Sequence, residues 1–212
     1  MEDVLDVYAE PLDSQRPQVC FDEKPYQLLC DAQPPIETQP GHPKRIDYEY
    51  KREGTCNIFG VVQPLTGWRH MTVTEHRKSE DFAHQMRALV DECFPEAEVI
   101  RVVLDNLSTH TPAALYQTFP AEEARRLSRK LEFHYTPKHG SWLNMMEIEF
   151  SVLARQCLNR RLPDIPTLVH EIAAWERIRN DQQAKITWRF TTNAARTTFK
   201  RLYPIISPVA DY

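Results

Sequence analysis

The sequence predicts an α/β protein, a mixed sheet covered by helices. Three observations carry that expectation. Three β-rich stretches come first, joined by connections that suit antiparallel pairing. From residue 79 onward helical and strand patterns alternate, which suits strands with helical crossovers. The 212 residues are 42% hydrophobic, enough for one sizeable core with small appendages.

Residues 1–16 read as the tail of a helix running into a linker. Val4, Leu5 and Tyr8 make a short apolar face, and Pro11 and Asp13 follow. The stretch PQVCFDEK is a short strand. Residues 25–31 (PYQLLCD) form either a second strand or the continuation of the first past a turn. Residues 32–54 hold four prolines and no helical period, so they read as a long functional loop. Its second half interleaves Lys44, Arg45, Lys51 and Arg52 with Tyr48 and Tyr50, a mix suited to a phosphate backbone or another subunit, or to an exposed loop with one edge strand.

TCNIFGVVQ and WRHMTVTEH are β-rich, and Pro64-Leu65-Thr66-Gly67 supplies the turn between them. Residues 79–94 predict a helix with Ser79 as its N-cap and Phe82, Met86, Leu89, Val90 and Cys93 on one face. EVIRVVLD is almost continuously apolar, as a central strand should be. Residues 112–130 predict a helix ending in Arg125, Arg126, Arg129 and Lys130, and LEFHYTP predicts a short strand closed by Pro137. A helix from Ser141 to about Leu158 carries Met146, Phe150, Leu153 and Cys157 on one face. Two more helices are expected near 166–180 and 192–203, and residues 204–212 form a tail.

The net charge of −4 hides an asymmetry. Residues 1–120 carry 11 Lys+Arg and 20 Asp+Glu, whereas residues 121–212 carry 15 and 10. A basic C-terminal part is compatible with nucleic acid, and phosphate contacts from Arg125 onward would make binding salt-dependent. The five cysteines are scattered and contain no CxxC pair, so neither a disulfide framework nor a zinc knuckle is expected. No apolar run is long enough for a membrane span, and the acidic N-terminus is unlike a signal peptide. A cytoplasmic protein is expected.

Three carboxylates stand out. Asp22 lies directly against an apolar strand in VCFDEK, where burying charge is costly without a compensating cation or donor. Asp105 ends the most apolar strand, and ligands in α/β sheets bind beyond the carboxyl ends of strands. Each residue alone could equally be a strand terminator or turn former. The third is Glu147 or Glu149. They lie about 200° apart around a helix, so they cannot share a site, and periodicity does not choose between them. Oxygen ligands suit hard cations such as Mg²⁺, and two such ions can drive in-line displacement at phosphorus. No P-loop, GxGxxG, GxSxG or HExxH motif occurs, which disfavours nucleotide hydrolysis, dinucleotide binding and those hydrolase classes. Ser108 and His110 read as ordinary loop residues.

CFDEK, VLDNLSTH and YTPKHGSWLNMMEIEF together resemble three blocks of mariner-type DDE transposases encoded by bacterial insertion sequences. The resemblance spans roughly residues 17–203. It implies an RNase H-like fold, two Mg²⁺ or Mn²⁺ ions and cut-and-paste chemistry on DNA by a homodimer. Asp22 and Asp105 match the family's aspartates. Asn144-Met145-Met146-Glu147 matches its Asn-x-x-Glu block, so the resemblance selects Glu147 over Glu149. Residues 32–54 match its clamp loop, and Asn106, Lys138, His139 and Asn144 fall in blocks near DNA. The 42-residue step from 105 to 147 exceeds the family's usual spacing, which a longer helix within 112–130 would explain. The family's N-terminal helix-turn-helix modules have no counterpart here, and residues 1–16 resemble the linker that follows them. Two other readings remain: a non-catalytic remnant that binds DNA or dimerises, and a nuclease of the same fold.

Overall fold

The computed structural model describes residues 1–34, 36, 39–41 and 47–203. Five strands form one sheet: β1 (Gln18–Asp31), β2 (Tyr50–Gln63), β3 (Trp68–Thr74), β4 (Ile100–Leu104) and β5 (Leu131–Tyr135), in the order β3-β2-β1-β4-β5. The pairs β1–β2 and β2–β3 are antiparallel, and β1–β4 and β4–β5 are parallel. The mixed sheet expected from the order of elements is therefore present.

Residues 25–31 continue the first strand. Pro25 is tolerated there because β4 pairs only with Gln18–Cys20, so beyond that point β2 is the single strand beside β1 among the described residues. A register shift at Leu28/Leu29 marks a bulge near the end of this arm. Because β2 starts at Tyr50, residues 50–54 belong to the hairpin, and the loop is shorter than expected from its prolines.

Seven α-helices cover the sheet among the described residues: α1 (Glu2–Ala9), α2 (Ser79–Ala88), α3 (Pro112–Thr118), α4 (Ala121–Lys130), α5 (Met146–Leu153), α6 (Ile165–Asp181) and α7 (Thr192–Thr198). Ser79 is the first residue of α2 and not its cap. The Asp81 carboxylate instead accepts from the Lys78 amide at 2.7 Å. The single helix expected over 112–130 is two, parted at Phe119-Pro120, because a proline inside a helix removes a donor and clashes with the preceding turn. The helix expected from Ser141 opens as a 3₁₀ turn (Ser141–Leu143), and α5 runs on into a π-helical turn (Ala154–Leu158).

The sheet separates two cores. One contains Cys20, Ile58, Val62 and Val103 with α5, α6 and α1, and the other contains Val19, Phe21, Phe59, Val102 and Leu104 with α2, α3 and α4. Neighbours in sequence fall in opposite cores, as a period of two requires. Residues 1–16 are more than a linker. Val4, Leu5 and Val7 are buried in the first core, and the Tyr8 hydroxyl donates to the Leu143 carbonyl at 2.8 Å. No helix among the described residues is long and apolar enough to cross a membrane.

Candidate active site

Strand alternation places the two aspartates. Cys20 pairs with Val103 across β1 and β4, and both side chains enter the first core. Two residues further along each strand, Asp22 and Asp105 point to the same face, beyond the last paired residues. The chain emerging from β4 diverges from β1 there, and the carboxylates occupy the fork.

A glycine brings the third carboxylate to them. Gly60 lies opposite Asp22 on β2. A Cβ at Gly60 would overlap the Met146 methyl and stand 3.0 Å from Met71 Sδ. The missing side chain lets the start of α5 rest on the sheet, and Glu147 is the next residue. Asn144 fastens this junction from within. Its amide donates to the Phe21 carbonyl at 2.8 Å and reaches Asp22 Oδ2 at 3.4 Å, while its Oδ1 accepts from the Met146 amide at 3.1 Å.

Asp22, Asp105 and Glu147 line one open cavity of about 470 Å³, together with Glu23, Lys24, Ser141 and Arg155. Glu149 is elsewhere. It is fully buried against Arg69, whose Nε lies 2.8 Å from Oε1, and Arg179, whose Nη2 lies 3.1 Å from it. The two glutamates thus have separate environments: one exposed on the cavity, one neutralised beneath α5.

Burial raises the Asp22 carboxyl to about pKa 7, and the negative charges of Glu23, Asp105 and Glu147 add to the shift. Asp105 is held below the usual carboxylate range, chiefly by a hydrogen bond from His110. His110 Nδ1 is 2.6 Å from Asp105 Oδ1, and Nε2 makes an ion-pair contact with Glu23 Oε2 at 3.0 Å. Burial alone would lower the His110 pKa, but Asp105 and Glu23 together raise it to about 9. His110 and Glu23 were not among the expected site residues. Nothing in a single loop histidine signals that both of its nitrogens will meet carboxylates.

A second cavity adjoins the first through Asp105 and Ser141 and is lined by Asn106, Lys138 and His139. These three expected DNA-proximal residues are exposed. Asn144 is not: it is fully buried with its polar atoms bonded inside the protein, so the expectation that it faces DNA is corrected. Lys44 and Arg45 lie outside the described residues.

The donor set is all oxygen, carries like charges and has one carboxyl driven toward protonation, so a divalent cation would relieve an electrostatic conflict that the fold creates. Among the described residues, no three His, Cys, Asp or Glu side chains converge as ligands of one ion.

A family model described as "DDE superfamily endonuclease" matches residues 17–169. No curated protein matches the chain significantly. Among solved structures, the Mos1 mariner paired-end complex with Mn gives a TM-score of 0.58 at 15% identity, covering 85% of this chain and 53% of that one. The Mos1 strand transfer complex gives 0.53 at 10% identity, covering 82% and 56%. A simian T-cell lymphotropic virus intasome gives 0.50 at 11% identity, covering 93% and 61%. The chain thus spans about half the length of the Mos1 chains, and at such identities the likeness establishes the RNase H-like fold alone. The family match covers well over half of the sequence, and the chain belongs to the DDE superfamily endonucleases.

Proposed function

We propose that this chain is the catalytic domain of a DNA transposase, which cleaves strands at transposon ends and joins the freed 3′ ends to target DNA. The supporting observation is that Asp22, Asp105 and Glu147 come from three separate elements to one open cavity. The Mos1 structures, described as paired-end and strand transfer complexes, favour DNA as the partner.

Asp22, Asp105 and Glu147 would hold divalent ions, read here as two Mg²⁺ or Mn²⁺. Such ions would activate the attacking oxygen and stabilise the leaving one at phosphorus. The remaining work falls to the protein. A hydrogen bond from His110 holds Asp105 below the usual carboxylate range. Asn144 fixes β1 at Phe21 against the start of α5. Asn106, Lys138 and His139, along the adjoining cavity, supply donors suited to a phosphate backbone, which would set the register of DNA without reading its bases. A homodimer is part of the same proposal.

The test is nicking of supercoiled plasmid with Mn²⁺. Asp105→Asn should abolish nicking while leaving the thermal melt cooperative. A variant that cuts as well as the parent defeats the proposal. Joined products distinguish a transposase from a nuclease of the same fold, which would only cleave.

A further inference from the structure

We infer that His110, braced by Glu23, is a positioning residue that sets the orientation of the Asp105 carboxylate. The inference rests on the carboxylate site proposed above and adds two residues to its machinery. His110 does not share a face with the carboxylates. Its ring lies in the opposite core, 5.5 Å edge-on from Phe21 and 4.9 Å from Phe82. From there it reaches round the end of β4 to Asp105.

Contacts hold this residue at its backbone, its ring and both ring nitrogens. The backbone is held by the His110 amide donating to the Leu107 carbonyl at 2.9 Å and by the Tyr135 hydroxyl donating to the His110 carbonyl at 2.8 Å. The two phenyl rings fix the imidazole plane. Glu23, itself buried and 3.7 Å from Arg77, faces the far nitrogen. The near nitrogen then bonds Oδ1 of Asp105 and leaves Oδ2 outside that bond. A carboxylate free to rotate presents either oxygen, whereas this one is held in one orientation. Such outer partners typically alter metal affinity by roughly 10–100-fold when removed.

The experiment is calorimetric Mn²⁺ titration at fixed pH, with a thermal melt of each variant. The carboxamide nitrogen of asparagine occupies the place of Nδ1, and that of glutamine the place of Nε2. Both His110→Asn and His110→Gln remove the ring from between Phe21 and Phe82, so both should melt lower by similar amounts. Only His110→Asn retains a donor toward Asp105. It should keep Mn²⁺ affinity within about threefold of the parent, while His110→Gln weakens it about tenfold or more. Equal affinities in the two variants would overturn the inference, because a purely structural histidine would not separate them. If the ring variants do not fold, Tyr135→Phe frees the His110 carbonyl without touching the ring. It should weaken Mn²⁺ binding by about threefold or more, and parent-like binding would overturn the inference. Asp105→Asn serves as the control. If it binds Mn²⁺ as the parent does, the carboxylate site itself has failed, a result distinct from failure of the histidine's role.

Discussion

Glu147→Gln and Glu149→Gln should fail in opposite ways. Glu149 and Arg69 are each 0% exposed, and Arg179 closes the group at 3.1 Å. Burial already disfavours the charged form of Arg69, and Glu149 opposes that trend. Replacing Glu149 by its neutral isostere leaves a guanidinium in the interior without its counter-charge. Breaking one side of a buried pair costs about 3–5 kcal/mol. For a chain of this size each kcal/mol lowers the melting temperature by roughly 2–4 °C, so the expected drop is roughly 6–20 °C. Glu147 is exposed, and its replacement should move the melt by no more than about 2 °C. Plasmid nicking completes the comparison: Glu147→Gln should be inactive, and Glu149→Gln should cut at temperatures where it remains folded. A stable but inactive Glu149→Gln beside an active Glu147→Gln would show that the third carboxylate has been misplaced.

Further outcomes follow from the same geometry. In the metal-free protein, Asp22 titrates near 7 when folded, against an ordinary value of 3.8. A group that binds its proton more tightly in the folded state contributes stability below the lower value, and that stability is lost as pH rises through about 7. Asp22→Asn should therefore raise the melting temperature at pH 8 and flatten its fall between pH 4 and 7. An unchanged slope would mean that the carboxyl is not desolvated. Gly60→Ala pushes against Met146 and Met71. Overpacking of this kind costs about 1–3 kcal/mol, and here it should also reduce nicking by displacing Glu147 from Asp22. A variant with parent-like melting and activity would show that the methionines yield without moving α5.

The sequence carried different parts of this molecule with different clarity. The order of elements along the chain is legible, as are Asp22 against an apolar strand and Asp105 at the end of another, because a period of two and an apolar run ending in a carboxylate are local signals. Glu147 and Glu149 were not separable from periodicity. What distinguishes them is Arg69, 80 positions away on β3, and no helical pattern contains that fact. His110 read as a loop residue because its burial depends on Phe21 and Phe82, which the chain brings together only when the second core forms. Asn144 falls in a motif block, yet its side chain turns into the protein and not to the surface. Its amide completes an internal junction, which residue type alone does not reveal. The break at Pro120 is available in the sequence, since proline is a poor interior helix residue. Residues 2–9 looked like an appendage because their apolar face had no visible partner nearby. The partner includes α7, almost two hundred residues later, where Arg196 pairs with Glu2 at 2.7 Å.

The early separation of β1 from β4 has a consequence for the main chain itself. After Cys20 the flank of β1 that faced β4 has no strand to bond among the described residues. Two of its amides have found other acceptors: Leu29 donates to the Leu162 carbonyl at 3.0 Å, and Glu23 donates to Asp22 Oδ1 at 2.9 Å. The second of these makes Asp22 the acceptor for its own strand's backbone. Anything that draws the Asp22 carboxylate toward the cavity must loosen that amide. The Glu23 N–H is thereby a proton whose resonance and exchange rate report what occupies the cavity.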